Sequence, residues 1–266
     1  MKGPDRGVPG AWIHRGARTV QGVELMLWDA MRRLQALQKN DAVMDNRFTE
    51  RLRQKADSIW EAQHQHPFVR GIGDGTLDIE TFTVWVRQDY LFLIDYGRLL
   101  ALAVARSPDL KTMTRLAELL TAVLQTEMCL HRSYAAEFGI GHEELEREPK
   151  APTTQGYTDF LLRVAAMGDF AELVAALLPC MWGFCEIGQR LADRPRPSDE
   201  RYARWIDTYA ALEFAEVARW CRDLLDRLAD GLPERDLRRL EEAFVTSSRY
   251  EWQFWEMAWN RERWQV

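Results

Sequence analysis

From Asn46 onward the apolar residues of this chain recur at intervals of three and four, and nowhere do they alternate with polar residues over the length of a strand. That periodicity predicts an all-α protein. Phe48 to Gln63 places Leu52, Ala56, Ile59 and Trp60 on one stripe, and Pro67 with Gly71, Gly73 and Gly75 is expected to break it. Asp78 should start a long helix that closes near Ser107–Pro108, and Asp109 another that stops at Phe138–Gly139. A short turn is expected through Glu143–Leu145. Thr153 or Thr154 should cap a helix ending at Gly168, and Asp169 should open one ending near Arg194–Pro195. Ser198 should cap a segment running towards Gly231–Pro233, and the last should span Pro233 to about Trp259. The expectation is seven or eight helices in a single domain, with kinks in the longer ones.

Residues 1–43 read differently. They carry early Gly and Pro and seven basic against four acidic side chains, with weak periodicity until a short amphipathic stretch at Val23–Leu37. The expected division is an N-terminal extension over 1–43 and an α-helical domain over 44–266, with Met44 as an alternative start. Asp5, Glu24 and Asp29 argue against a mitochondrial presequence.

Composition closes several function classes. The formal charge is −6 over 266 residues, which argues against a phosphate-backbone binder. Cys129, Cys180, Cys185 and Cys221 form no CxxC pair and no disulfide framework, as expected of reduced thiols in the cytoplasm. The longest apolar run, Leu173–Cys185, is shorter than the ~20 residues of a membrane span, so no membrane partner is expected. Gly71, Gly73 and Gly75 alternate as GIGDG, but no strand precedes them, so they make no dinucleotide fingerprint.

Three positions put chemistry on apolar stripes. Asp89 shares its stripe with Trp85, Phe92 and Tyr96, and Glu251 lies among Ser247, Ser248, Phe254, Trp255 and Ala258. A carboxylate among rings must find a donor or a charge partner. Each alone reads most simply as a buried acid bonded to a Tyr, an Arg or a helix end. Two in one helical chain point to a polar pocket inside a bundle. Cys180 follows Pro179 in AALLPCMWGFCEIG, where a mid-helix proline deletes one backbone hydrogen bond and opens space beside the thiol. Phe184 lies one turn on, on the same face. The plain alternative is an inert buried thiol. Glu127 and His131, four residues apart, share a face as helical metal ligands do, with Glu186 and Glu213 as conceivable additions. With five histidines in the chain, a buried Glu–His hydrogen bond is the simpler reading, and neither metal nor cofactor is expected. The eleven tryptophans read as core or subunit interface.

The segments HPFVRGIGDGTL, RQDYLFL, QTEMCLHRSYAAEFGI, PTTQGYTDFLL, AALLPCMWGFCEIG, WIDTYAALEF and TSSRYEWQFWEMAW together resemble the TenA family, also called thiaminase II or aminopyrimidine aminohydrolase. The likeness runs from about Asp45 to Trp259. It implies a haem-oxygenase-like helical bundle without haem, assembled as a homotetramer, acting on small aminopyrimidines in thiamin salvage. It also implies roles. Cys180 matches the family's nucleophile and Glu251 its acid–base group. Asp89 matches the residue that holds the aminopyrimidine, Phe92 the ring that packs on it, and Tyr157 and Tyr209 two site tyrosines. Phe184 stands where the family often has Tyr, which keeps a wall for the ring and removes a hydroxyl. The expected reaction converts 4-amino-5-aminomethyl-2-methylpyrimidine to its hydroxymethyl counterpart with release of ammonia, with thiamin cleavage as a side activity. Two other classes fit the same scaffold: a metal-dependent oxidase using Glu127 and His131, and a non-catalytic pyrimidine-binding regulator.

Overall fold

The computed structural model describes residues 47–265, and the expected extension over 1–43 and the alternative start at Met44 lie outside them. In chain order the helices are α1 (Phe48–Lys55), α2 (Asp57–His64), α3 (Pro67–Asp74), α4 (Ile79–Ala105), α5 (Leu110–Ala122), a π turn (Val123–Glu127), α6 (Met128–Glu137), α7 (His142–Arg147), α8 (Pro152–Met167), α9 (Phe170–Ala192), α10 (Glu200–Ala210), α11 (Leu212–Ala229) and α12 (Glu234–Asn260). No strand occurs among the described residues. Every long segment expected from the periodicity is present.

Local chemistry explains most of the boundaries. Asp78, Asp109 and Asp169 each accept a hydrogen bond from a backbone N–H of the first turn they cap, as the sequence suggests. The residues taken as breakers at 67–75 instead frame a helix. Pro67 sits in its first turn, His66 Nδ1 accepts from the Phe68 N–H at 3.1 Å, and Gly75 ends it at φ 70°. The caps expected at Thr153 or Thr154 and at Ser198 are displaced. Pro152 starts α8 after Ala151, and Asp199 rather than Ser198 accepts the first-turn N–H of α10. Three breaks carry no Pro or Gly signal: at Ala56, at Ala211 and at the π turn within the expected Asp109–Phe138 helix.

α9 is the central post. It packs against α8, α10, α11 and α12, while α4 packs on α5, α6, α8 and α12. With 23 residues and a window of mean hydropathy 1.6, α9 is also, among the described residues, the one helix long and apolar enough to cross a membrane. Its apolarity serves the interior instead, because residues on all its faces, from Leu173 to Leu191, are covered by neighbouring helices. The core continues through Trp60, Trp85, Trp205 and Trp255, each at most 1% exposed, so these tryptophans are core.

Gly188 decides how closely α10 approaches this post. A Cβ there would lie 2.5 Å from the Tyr209 carbonyl carbon and 2.7 Å from the Ala210 nitrogen, both backbone atoms that cannot rotate away. We therefore expect Gly188→Ala to destabilise the fold by ~1–3 kcal/mol through forced helix displacement. Chemical denaturation checks this, and a variant as stable as the parent would show that the helices have room to separate.

Candidate active site

α4, α9 and α10, together with the π turn and the start of α11, enclose a narrow cavity with about 290 Å³ of non-atom space. Asp89, Phe92, Leu93, Tyr96, Glu127, Cys180, Met181, Phe184, Tyr209 and Phe214 line it. Five of the seven residues singled out from the sequence thus meet around one space. Tyr157 and Glu251 join them from behind, since the Tyr157 ring lies 5.0 Å from Phe92 and its hydroxyl donates to Glu251 Oε1 at 2.5 Å. A larger surface groove, with about 1470 Å³ of space, runs beside the start of α4. Most of its charged groups are consumed in ion pairs, such as Arg87 with Glu144 and Glu148, and Arg261 with Glu80.

Asp89 is 5% exposed and faces His131, which is fully buried. His131 Nδ1 lies 2.9 Å from the Glu127 backbone carbonyl. A carbonyl only accepts, so Nδ1 carries the proton there. Nε2 lies 2.6 Å from Asp89 Oδ2, an approach that two lone pairs would oppose, so Nε2 is protonated as well. The N–H axis is turned off that oxygen, and charge attraction holds the pair more than a straight hydrogen bond does. Burial works to lower the His131 pKa, yet the Asp89 carboxylate and the bond to the Glu127 carbonyl carry it above the usual value. The simple Glu–His hydrogen bond expected from the four-residue spacing is therefore replaced. The backbone of Glu127, not its carboxyl, holds the ring.

Glu251 sits on the other side of the cavity. Burial raises its pKa, the Tyr157 hydroxyl lowers it, the Asp89 charge raises it further, and the outcome is about 8. Tyr157 also exchanges a 2.9 Å hydrogen bond with Ser247, and its ring stacks on Tyr250 at 5.2 Å and 6°. Glu127 behaves similarly. Burial raises it, the His131 cation lowers it, Asp89 raises it, and it reaches about 7. The Asp89–His131 contact is therefore flanked by two acids, Glu127 in the cavity wall and Glu251 behind it, that titrate near neutral pH.

Cys180 lies half-buried on α9. Burial pushes its thiol pKa well up, and the neighbouring acids Glu251, Glu127 and Asp89 add to that, while a hydrogen bond with Tyr96 pulls it down. The resting group is a thiol. Tyr96, which the sequence presents only as a stripe residue, donates to the Leu177 carbonyl at 3.2 Å, one turn before Cys180. The walls are rings. Phe92 stacks on Tyr96 at 5.5 Å, and Phe184 meets Tyr209 at 4.9 Å and Trp255 at 5.2 Å. No alternation or spacing in one helix could have announced His131 as the partner of Asp89, nor Ser247 as that of Tyr157.

The residues imagined as metal ligands do not converge. His131 has both ring nitrogens engaged, Glu213 is exposed on α11, and Glu186 belongs to a separate cluster with Glu61 and His64. In that cluster three ligand atoms lie within 4.8 Å of one another. Two guanidinium groups already supply the positive charge an ion would bring. Arg53 lies 2.9 Å from Glu186, and Arg190 lies 2.7 Å from Glu61 and 2.9 Å from Glu186.

The buried Glu251 carboxyl makes stability depend on pH in a definite direction. Its pKa is higher in the folded protein than in the unfolded chain, so folding takes up a proton between about 4.5 and about 8. Stability falls across that interval and levels off above it. Gln at this position neither ionises nor loses the hydrogen bond from Tyr157. We expect Glu251→Gln to gain in Tm over the parent as pH rises from 5 to 8, at ~2–4 °C per kcal/mol for a domain of this size. A thermal scan at several pH values checks it, and a Tm difference that does not change with pH would refute the buried-acid assignment.

Comparison with known proteins places this arrangement. Residues 53–261 match the model of the TENA/THI-4/PQQC family. A protein of Halalkalibacterium halodurans named aminopyrimidine aminohydrolase is 47% identical over 218 residues, covering 82% of this chain and 97% of that protein. The crystal structure of a TenA family transcription regulator from Silicibacter superposes with a TM-score of 0.74 at 32% identity, over 79% of this chain and 96% of that one. A domain of unknown function with a haem-oxygenase-like fold from Shewanella denitrificans shares the fold alone, at 14% identity and a TM-score of 0.62, over 80% and 92% of the two chains. The extent of the match shows that this chain belongs to the TENA/THI-4/PQQC family.

Proposed function

We propose that this chain is an aminopyrimidine hydrolase of thiamin salvage, which replaces the amino group of 4-amino-5-aminomethyl-2-methylpyrimidine by hydroxyl and releases ammonia. One observation carries the reading: a thiol and a carboxylate line a cavity walled by flat rings, with a protonatable acid held by Tyr157 behind it. The 47% identity to a protein named for that activity supports it.

The aminopyrimidine ring resists loss of its substituent because expulsion would interrupt aromaticity. Sulfur of Cys180 adds to ring carbon C6, the C–S bond forms as the S–H bond breaks, the displaced π pair settles on a ring nitrogen, and the thiol proton passes to that nitrogen. The lone pair of the 4-amino group then drives cleavage of the exocyclic C–N bond. The leaving nitrogen departs with the bonding pair and takes the Glu251 proton. Water adds to the freed methylene and returns a proton to the Glu251 carboxylate. The C–S bond breaks with its pair on sulfur, the ring nitrogen returns its proton to sulfur, and aromaticity is restored. This is nucleophilic catalysis with one carboxyl serving as acid and then as base.

Asp89, held ionised by His131, accepts from the exocyclic amino group, and Phe92 and Phe184 stack on the ring faces. Tyr209 presents its hydroxyl to the ring edge, and Tyr157 orients Glu251. A narrow cavity favours a one-ring substrate with a small leaving group, with thiamin cleavage secondary. Phe184, lacking the hydroxyl that the resemblance leads one to expect, tunes this preference.

The enzyme is further proposed to act in the cytoplasm as a homotetramer. Exposed apolar side chains such as Leu110, Met167 and Leu212, at 76%, 81% and 65%, are consistent with subunit contacts.

Ammonia release from the aminomethylpyrimidine tests the proposal. Cys180→Ala should reduce it to background, and Glu251→Gln should cost ~10²–10⁴-fold. Near-wild-type turnover by Cys180→Ala would overturn the covalent scheme. Binding without turnover by wild type would replace the hydrolase with a silent binder.

A further inference from the structure

Glu127 is the acid of the cavity that the proposed chemistry leaves unused. Asp89 is matched by His131 and Glu251 by Tyr157, but the Glu127 carboxyl makes no hydrogen bond or ion pair with any described residue. It nevertheless lines the cavity beside Asp89, Cys180 and Tyr209. It ends the π turn Val123–Glu127, where the wider winding changes the register in which α6 leaves α5. A carboxyl set among rings without a partner is costly unless a ligand supplies one.

The ligand's edge states what is needed. A 4-aminopyrimidine presents one exocyclic amine, which donates, and two ring nitrogens, which accept. Asp89 is ionised against an imidazolium and can only accept, so it suits the amine. The Tyr157 hydroxyl is spent on Ser247 and Glu251. Two donors remain around the cavity for the two ring nitrogens: the Tyr209 hydroxyl and the acid form of Glu127. Resting on the aminopyrimidine reading, we infer that Glu127 binds substrate as a neutral carboxylic acid and donates its proton in a hydrogen bond to a ring nitrogen. Ring recognition then needs two carboxyls in opposite protonation states, one accepting from the amine and one donating to the ring.

The groups that face Glu127 are Asp89 and Tyr96 from α4, His131 from α6, Cys180 from α9 and Tyr209 from α10, with Glu251 and Tyr157 of α12 and α8 farther across the cavity. Of these, His131 and Asp89 weigh most on its titration, in opposite directions.

The test is calorimetric binding of the reaction product, 4-amino-5-hydroxymethyl-2-methylpyrimidine, to Cys180→Ala protein between pH 5.5 and 8.5. That background removes covalent chemistry. Into it go Glu127→Gln, whose amide donates at every pH, and Glu127→Ala, which donates at none. The Cys180→Ala parent should lose affinity as pH rises through about 7. Glu127→Gln should match the parent at pH 6 and keep that affinity to pH 8.5. Glu127→Ala should bind about tenfold or more weakly at pH 6, the range for a buried acceptor deprived of its donor. The ligand's own titration is common to all three and cancels in the comparison. Full affinity in Glu127→Ala, or an unchanged pH dependence in Glu127→Gln, would overturn the inference. A parent that binds no pyrimidine at any pH would instead end the substrate reading itself.

Discussion

A carboxylate cannot leave water without a partner, and this protein keeps one ionised carboxylate at the centre of a cavity of aromatic rings. The Asp89–His131 contact makes that possible. His131 holds its charge because Asp89 is there, and it keeps its orientation because the Glu127 carbonyl accepts from its other nitrogen. The π turn carries Glu127, and α6 follows directly from it with His131 in its first turns. The pair is thus a packing solution for α4 against α6 as much as a functional one.

Its charge organises the rest of the site. Asp89 is among the causes that lift Glu127, Glu251 and Cys180 above their ordinary values, because each would place a second negative charge near the first. Burial is the larger cause in each case, and the charge of Asp89 adds to it. Cys180 rests as a thiol and the Glu251 carboxyl holds its proton to about pH 8. The rings around them exclude water, which strengthens every one of these electrostatic effects.

Helix packing delivers the groups to that field. Gly188 lets the end of α10 press against α9, so Tyr209 meets Phe184, and the break at Ala211 turns the chain so that Phe214 closes the same cavity edge-on to Tyr209. Pro179 withholds one backbone donor from α9 one residue before Cys180, and Tyr96 donates to the Leu177 carbonyl beside the thiol.

Helical periodicity by itself determined that the chain is an all-α bundle, because the 3.6-residue repeat is a local property that each segment displays alone. The same argument marked Asp89, Glu251 and Cys180, since polar or reactive groups on an apolar stripe are visible within a single helix. The neighbouring site residues, Phe92, Tyr157, Phe184 and Tyr209, were legible through the run of motifs around them. Tertiary structure alone decided the partnerships: His131 with Asp89, Ser247 with Tyr157, Tyr96 with Cys180 and Leu177. Those contacts join helices 42 to 90 residues apart in sequence, and no repeat within one helix encodes which face of another it will meet. The breaks at Ala56, Ala211 and the π turn were hidden for the same reason: they answer to the packing of neighbours and not to any proline or glycine in the chain.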